Sequence, residues 1–362
     1  MKPDKSKLNK LKRRFYKHLW LFRPLSYFLI ITFTLLLLFW LAPKLSQVFK
    51  KLAQGPAAII SLLNPDINNL NSFKDRTNIL LLGVGGGRHP GADLTDSMML
   101  ISVNLTTGDT VLISLPRDVW VESLSAKLNT AYHFGEEKKV GGGLVLAKSA
   151  VSEIINQPVH YAVLLDFSGF EQAIDTIGGV NINVPRSFID EKYPIPGKED
   201  VQPESERYEK LEFLSGEQHM DGTTALKYVR SRNAQGEEGT DYARAQRQQR
   251  VILAFKDNLF SPKTLLNPSK LKKLHRIFKN SVKTDFPSNA YPDIAKLAAR
   301  IDRSNIRTGI IDQGSETEDI PALLYNPPIS LYGQWVLIPV NNNWQAIYDH
   351  LEEILYQNQS TR

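Results

Sequence analysis

The sequence predicts an α/β layered fold preceded by one apolar membrane span, and three observations carry that expectation. Short apolar runs closed by turn residues alternate with segments of helical period from Asn78 to Pro185. Helical pattern then dominates from about residue 221 onward. Residues 25–42, LSYFLIITFTLLLLFWLA, hold no charge and lie between Pro24 and Pro43.

That apolar run spans roughly 27 Å as a helix, close to a bilayer core of about 30 Å. Tyr27 and Trp40 stand near its two ends, where aromatic rings favour the interface. Residues 1–23 carry nine Lys or Arg against one acid, Asp4. The positive-inside rule therefore keeps the N-terminus in the cytoplasm and sends the rest across the membrane. The run is longer than a usual signal-peptide core and no clear A-x-A site follows, so it reads as a retained single-pass anchor. The chain divides into a cytoplasmic tail (1–24), anchor (25–43), stalk (44–74), main domain (75–262) and a C-terminal extension packing on the same unit (263–362).

Within the main domain, NILLLGV is a strand ended by glycines. SMMLISVN and TVLISLP form a hairpin through Thr107-Gly108-Asp109. Residues 143–156 have helical period, YAVLLDF is a strand, FEQAIDTI a helix and GVNINVP a further strand. The charged, proline-bearing stretch 190–212 reads as a surface excursion. Amphipathic helices follow over 221–230 and 241–260, then near 268–279, 290–301 and 343–356, with strands at IRTGIID and QWVLIPV.

With 42% hydrophobic and 23% charged residues among 362, disorder as the main state is excluded. The absence of cysteine excludes disulfides, Cys-ligated zinc, iron–sulfur clusters and thiol nucleophiles. The net charge of +6 resides in the N-terminal tail, so the remainder is nearly neutral and no nucleic-acid partner is expected. The cluster Gly83-Val84-Gly85-Gly86-Gly87-Arg88 lacks Gly-Lys-Ser/Thr and is not a nucleotide loop. The seven histidines have no metal-motif spacing, and no G-x-S-x-G elbow occurs.

An arginine constellation remains. Arg230 and Arg232 end one helix, and Arg244, Arg247 and Gln248 occupy the first turns of the next, with spacing that places the last three on nearly one side. Thr240 or Asp241 can cap that second helix, whose N-terminus favours anions. Clustered guanidiniums suit a polyanion, each charge-assisted bond contributing roughly 1.5–3 kcal/mol. Surface ion pairs with Glu237, Glu238 and Asp241 account for the same residues equally well on spacing alone. Asp96 at the mouth of one strand and Arg117 at the end of its partner can hold a metal–phosphate unit, Asp96 binding Mg²⁺ (or Mn²⁺) and Arg117 the phosphate oxygens.

Taken together, LTDSMMLISVN, LISLPRDVWV, KLNTAYHFG, DFSGFEQAIDTIGGVNINV, LSGEQHMDGTTALKYVRSR and DYARAQRQQRVI resemble the LytR-CpsA-Psr family of extracytoplasmic cell-wall phosphotransferases, from about Asn78 to Leu259. The resemblance implies a three-layer α/β/α domain with a central mixed sheet, an apolar pocket for a polyprenyl chain and an arginine-lined mouth for its pyrophosphate. It places the family's functional positions on Asp96, Arg117, Asp118, Arg230, Arg232, Arg244 and Gln248. Arg247 and Lys127 are expected as additional phosphate contacts. The family's second metal-binding acid falls on Gly85; Asp93 is the expected substitute, with His89 a second candidate for some role there. The implied activity moves a glycan phosphate from a polyprenyl-pyrophosphate carrier to peptidoglycan at the membrane. The alternatives are a hydrolase of the lipid (pyro)phosphate and a non-catalytic lipid- or glycan-binding protein, which Gly85 keeps open.

Overall fold

A computed structural model of the chain describes residues 67–86, 91–195, 197–198, 200–301, 306–311, 313–314 and 321–356. The expected tail, anchor and residues 44–66 of the stalk lie outside them, as does His89. Among the described residues no helix is long and apolar enough to cross a membrane.

The central sheet has six strands: β1 (Arg76–Val84), β2 (Thr95–Asn104), β3 (Thr110–Ser114), β4 (Tyr161–Asp166), β9 (Val282–Thr284) and β10 (Ile306–Ile310). Their order is β9-β4-β1-β2-β3-β10. The pairs β1–β2, β2–β3 and β4–β9 are antiparallel, while β1–β4 and β3–β10 are parallel, which makes the sheet mixed. The expected β2–β3 hairpin forms, and Gly108 supplies the left-handed residue of its turn with φ +73°.

Helices lie on both faces, numbered in chain order with α1 at Ala131–Lys138 and α6 at Pro268–Ser281. On one, Leu80, Leu82 and Val84 of β1 join Leu100 and Ile113 in a core covered by α2 (Gly143–Ile155) and α8 (Trp344–Tyr356). On the other, Ile79 and Ile101 pack with α7 (Tyr291–Arg300) through Leu297. Alternate residues of one strand thus feed different cores, as the period of two requires. A further core gathers α3 (Phe167–Ile177), α4 (Gly222–Arg230) and α5 (Asp241–Leu259) with the strands β5 (Val180–Val184), β6 (Phe188–Pro194), β7 (Tyr208–Phe213) and β8 (Gly216–Met220). The helices start on side-chain caps where the sequence offers them. Asp166 accepts from the Gly169 amide, Asp221 from Thr224 and Thr240 from Ala243.

Two expectations are corrected and one is placed. The GVNINVP strand forms as expected, as β5, which pairs with β8 outside the central sheet. The stretch expected as a surface excursion is bounded by the antiparallel hairpin β6–β7, whose Phe188, Tyr193, Leu211 and Phe213 are buried. QWVLIPV contributes only Ile338–Pro339, paired with Leu324–Tyr325.

Arg76 fastens the start of β1. Its guanidinium is fully buried and donates to the Ser102 hydroxyl and carbonyl, both at 2.9 Å, and to the Asp109 carboxylate at 2.7 Å. Arg307 of β10 donates to the same carboxylate at 2.7 Å. Burial by itself raises the Asp109 pKa, but hydrogen bonds from Arg307 and Arg76 outweigh it and hold the carboxyl below its ordinary value. A depressed folded pKa contributes stability that is present above the unfolded Asp value of about 3.9 and lost as pH falls through the folded value. Asp109→Asn is therefore expected to cost about 3 kcal/mol at neutral pH, with the difference from the parent shrinking below about pH 4. Urea unfolding across pH measures both.

Candidate active site

The acidic and basic groups at the ends of β2 and β3 meet in a chain of alternating charge. Arg117 Nη1 donates to Asp96 Oδ1 at 2.5 Å, and Arg117 Nε to Asp118 Oδ2 at 3.3 Å. Lys127 Nζ donates to Asp118 Oδ1 at 2.9 Å. Local hydrogen bonding fixes this corner: the Asn129 amide donates to the Arg117 carbonyl at 3.0 Å, and the Thr95 hydroxyl to the Asn129 carbonyl at 3.2 Å. Burial opposes the charge on Arg117, but Asp96 and Asp118 outweigh it and raise its pKa, so the guanidinium stays charged.

An apolar cavity of about 240 Å³ opens beside this corner, between the sheet and helices α3, α4 and α5. Leu81, Met99, Leu165, Phe170, Ile252 and Phe255 are among its walls, while Arg230, Ser97 and Gln248 supply its polar edge. Ser97 and Gln248 also line a small polar cleft together with Asp96 and Arg244. Gln248 Nε2 lies 3.2 Å from the Ser97 hydroxyl, so α5 and β2 touch where cleft and cavity meet. Arg230 is half-buried and held by rings: its guanidinium stands 4.7 Å from the Phe167 ring centroid and 5.7 Å from that of Tyr193. Its nearest polar contact is the Tyr193 hydroxyl at 3.4 Å.

The structure thus brings Asp96, Arg117, Arg230, Arg244 and Gln248 to one mouth, with Lys127 joined through Asp118. Arg232 follows Arg230 with an exposed side chain that lines neither the cavity nor the cleft. Arg247 departs from the expectation of a shared helix face. It is fully buried and donates to the carbonyls of Tyr228 (3.1 Å), Ser231 (2.6 Å) and Glu238 (2.9 Å) and to the Glu238 carboxylate (2.9 Å). With its donors committed inside the protein, Arg247 is a structural clamp and not a phosphate contact.

Asp93 is also engaged, its carboxylate 2.8 Å from His133 Nδ1, a hydrogen bond that raises the His133 pKa. Among the described residues no cluster of three or more His, Asp or Glu could by itself hold a metal ion. The donor set therefore suits magnesium only with help from substrate: Asp96 offers one partly exposed carboxylate, and the other ligands would be phosphate oxygens and water.

Asp190 escaped the sequence reading. It is fully buried on β6, and its Oδ2 accepts from the Ser231 hydroxyl (2.7 Å) and the amides of Arg232 (3.1 Å) and Asn233 (3.2 Å). Asp190 and Arg247 therefore grip the two sides of Ser231 and fix the corner that carries Arg230 and Arg232. Only the interleaving of an acid with apolar residues in FIDEKY hints at it, and that pattern is common on exposed strands. Asp190→Ala leaves a buried hydroxyl and two amides without their acceptor. The expected loss is about 3 kcal/mol, with faster hydrogen exchange at residues 231–233 while β1 and β2 stay protected. Exchange mass spectrometry reads the two regions side by side.

A family model described as the LytR_cpsA_psr family matches residues 51–324. The polyisoprenyl-teichoic acid–peptidoglycan teichoic acid transferase TagU of Oceanobacillus iheyensis is 32% identical over 255 residues, covering 70% of this chain and 72% of that protein. The TagU of Enterococcus faecalis is 27% identical over 236 residues, covering 64% and 67%. In fold, the crystal structure of B. subtilis TagV aligns with a TM-score of 0.53 at 24% identity, over 78% of this chain and 98% of that one. Matched along most of its length and sharing that mixed α/β architecture, the chain belongs to the LytR-CpsA-Psr family and is a transferase of it.

Proposed function

We propose that the chain, anchored by residues 25–43, moves a glycan phosphate from a polyprenyl-pyrophosphate carrier to a hydroxyl of peptidoglycan on the outer face of the membrane. The observation that carries this reading is the junction at Ser97 and Gln248, where an apolar cavity meets a cleft of acid and guanidinium. A prenyl chain suits the cavity and a pyrophosphate suits its charged edge. The TagU relatives, named as teichoic acid transferases to peptidoglycan, support the same donor and acceptor classes.

In this reading Arg230 and Arg244 bind the pyrophosphate from either side of Gln248, and Arg117 is oriented by Asp96 and Asp118 toward the same oxygens. The acceptor oxygen forms a new bond to the sugar-bearing phosphorus as the bond to the lipid phosphate breaks, so the leaving group is a polyprenyl monophosphate, and the hydroxyl proton passes to that phosphate through water. Fixed guanidiniums stabilise charge on that leaving group without reorganising. Magnesium, held by Asp96 together with phosphate oxygens, would add charge neutralisation when bound. Asp93 would take part only on leaving His133. Arg232, exposed beyond the cavity, would meet the glycan, and Lys127 would reach the phosphates only on leaving Asp118.

The test uses the full chain in proteoliposomes with a polyprenyl-pyrophosphate saccharide and peptidoglycan fragments, with products identified by mass spectrometry. Acceptor-linked glycan phosphate is expected, with kcat lowered about 10²–10³-fold in Arg117→Ala and in Arg244→Ala. Chelation is expected to abolish turnover, and added magnesium to restore it. Lipid phosphate released with no glycan on the acceptor would replace transfer by hydrolysis. Donor bound but unchanged would leave a binding protein.

A further inference from the structure

We infer that the uncharged C-terminal turn around Leu331 dips into the lipid surface and seats the mouth of the site on the bilayer. Residues 320–348 contain no Asp, Glu, Lys or Arg, in a chain with 23% charged residues. Within that stretch Leu331 is 69% exposed and Ile329 56%, flanked by Tyr325 at 40% and Trp335 at 38%. Protruding aliphatic groups between a Tyr and a Trp, free of charge, have the composition of a membrane-interface contact. A glycan platform would present its aromatic rings foremost with hydrogen-bonding partners beside them. Here the aliphatic side chains are more exposed than the rings.

The turn is built to hold that tip outward. Pro327 and Pro328 lead into a short helical turn, Ile329–Tyr332, which ends at Gly333 with φ +69°. The Tyr332 ring packs edge-on to Trp120 with centroids 4.9 Å apart, and Asn326 Nδ2 donates to the Val336 carbonyl at 2.8 Å. Leu337 donates to the Asp118 carbonyl and accepts from the Trp120 amide, both at 2.9 Å. The tip is therefore fastened to the stretch that carries Arg117. Lys127 Nζ, paired with Asp118, stands 6.0 Å from the Trp335 ring centroid, which ties the base of the apolar tip to the charged corner of the site. The family match ends at residue 324, so the turn lies beyond the segment by which the family is recognised.

The contact rests on the membrane anchoring in the proposed function, and its catalytic consequence, delivery of a lipid-linked donor, on the transfer reaction as well. The absence of cysteine allows clean single-site labelling of the full chain. Leu331→Cys and, as a control, Val140→Cys at a 91% exposed site far along the sequence would carry a bimane label in vesicles of phosphatidylethanolamine and phosphatidylglycerol. The Leu331 label is expected to be quenched by nitroxide lipids and to be about fivefold less accessible to iodide than the Val140 label. Equal iodide access with no lipid quenching overturns the inference. So does protection of the Leu331 label that appears only on adding peptidoglycan fragments, which would make the turn a glycan surface. In the turnover assay, Ile329→Asp combined with Leu331→Asp is expected to raise KM for a long-chain donor about fivefold while leaving kcat and the KM of a short-chain soluble donor unchanged. Equal effects on both donors count against the membrane contact. Absence of turnover in the parent chain defeats the transfer reaction alone, and the labelling result then decides the inference.

Discussion

A sheet filled tightly on one face and left with a cavity at one end of the other underlies the rest of this structure. Leu80 and Leu82 of β1 and Leu100 of β2 are wholly buried beneath α2 and α8. On the opposite face, Gly83 and Ser97 put almost no side chain into the space between sheet and helices. A Cβ on Gly83 would lie 3.2 Å from Ser97 Cβ, closer than most such contacts, so a larger residue there crowds the strand pair. Smallness at these two points opens the edge of the cavity, and the apolar walls make it favourable for a hydrocarbon to fill what water would wet poorly. The packed face supplies the stability that lets the cavity persist on the other.

The arginines divide along the same line between structure and site. Arg76 and Arg247 are fully buried and surrounded by acceptors, so their charge is consumed in holding β1 and the Ser231 corner. Arg230 is held by Phe167 and Tyr193 without a carboxylate among the described residues, which keeps its charge available to an incoming anion. Arg117 is intermediate: two carboxylates orient it, yet it remains partly exposed at the mouth. Desolvation makes this difference matter, because a guanidinium removed from water must find partners at once, whereas one at an edge can wait for phosphate.

Much of the fold was legible because it is local. The β2–β3 hairpin, the helices α2 to α5 and the cap at Thr240 follow from turn residues, apolar period and a side chain able to accept an amide. Asp190 was not legible, since an acid among Glu191, Lys192 and two prolines reads as surface until the Ser231 corner is folded against it. Arg247 was misplaced for a related reason. Helical spacing gives the angle of a side chain about its axis, but whether that angle meets solvent or the carbonyls of Tyr228 and Ser231 depends on what packs there.

By itself the sequence determined that an α/β domain follows an apolar span, that cysteine chemistry is absent, and that acids and arginines stand at the ends of particular strands and helices. These are properties of composition, period and short-range hydrogen bonding. Tertiary structure alone decided that β5 leaves the central sheet, that Asp96 pairs with Arg117, and that Ser97 and Gln248 join the apolar cavity to the charged cleft. Those contacts link residues up to 151 positions apart, and no local preference encodes them. They form when burial of the shared apolar surface brings the strand ends and the first turns of α5 to the same place.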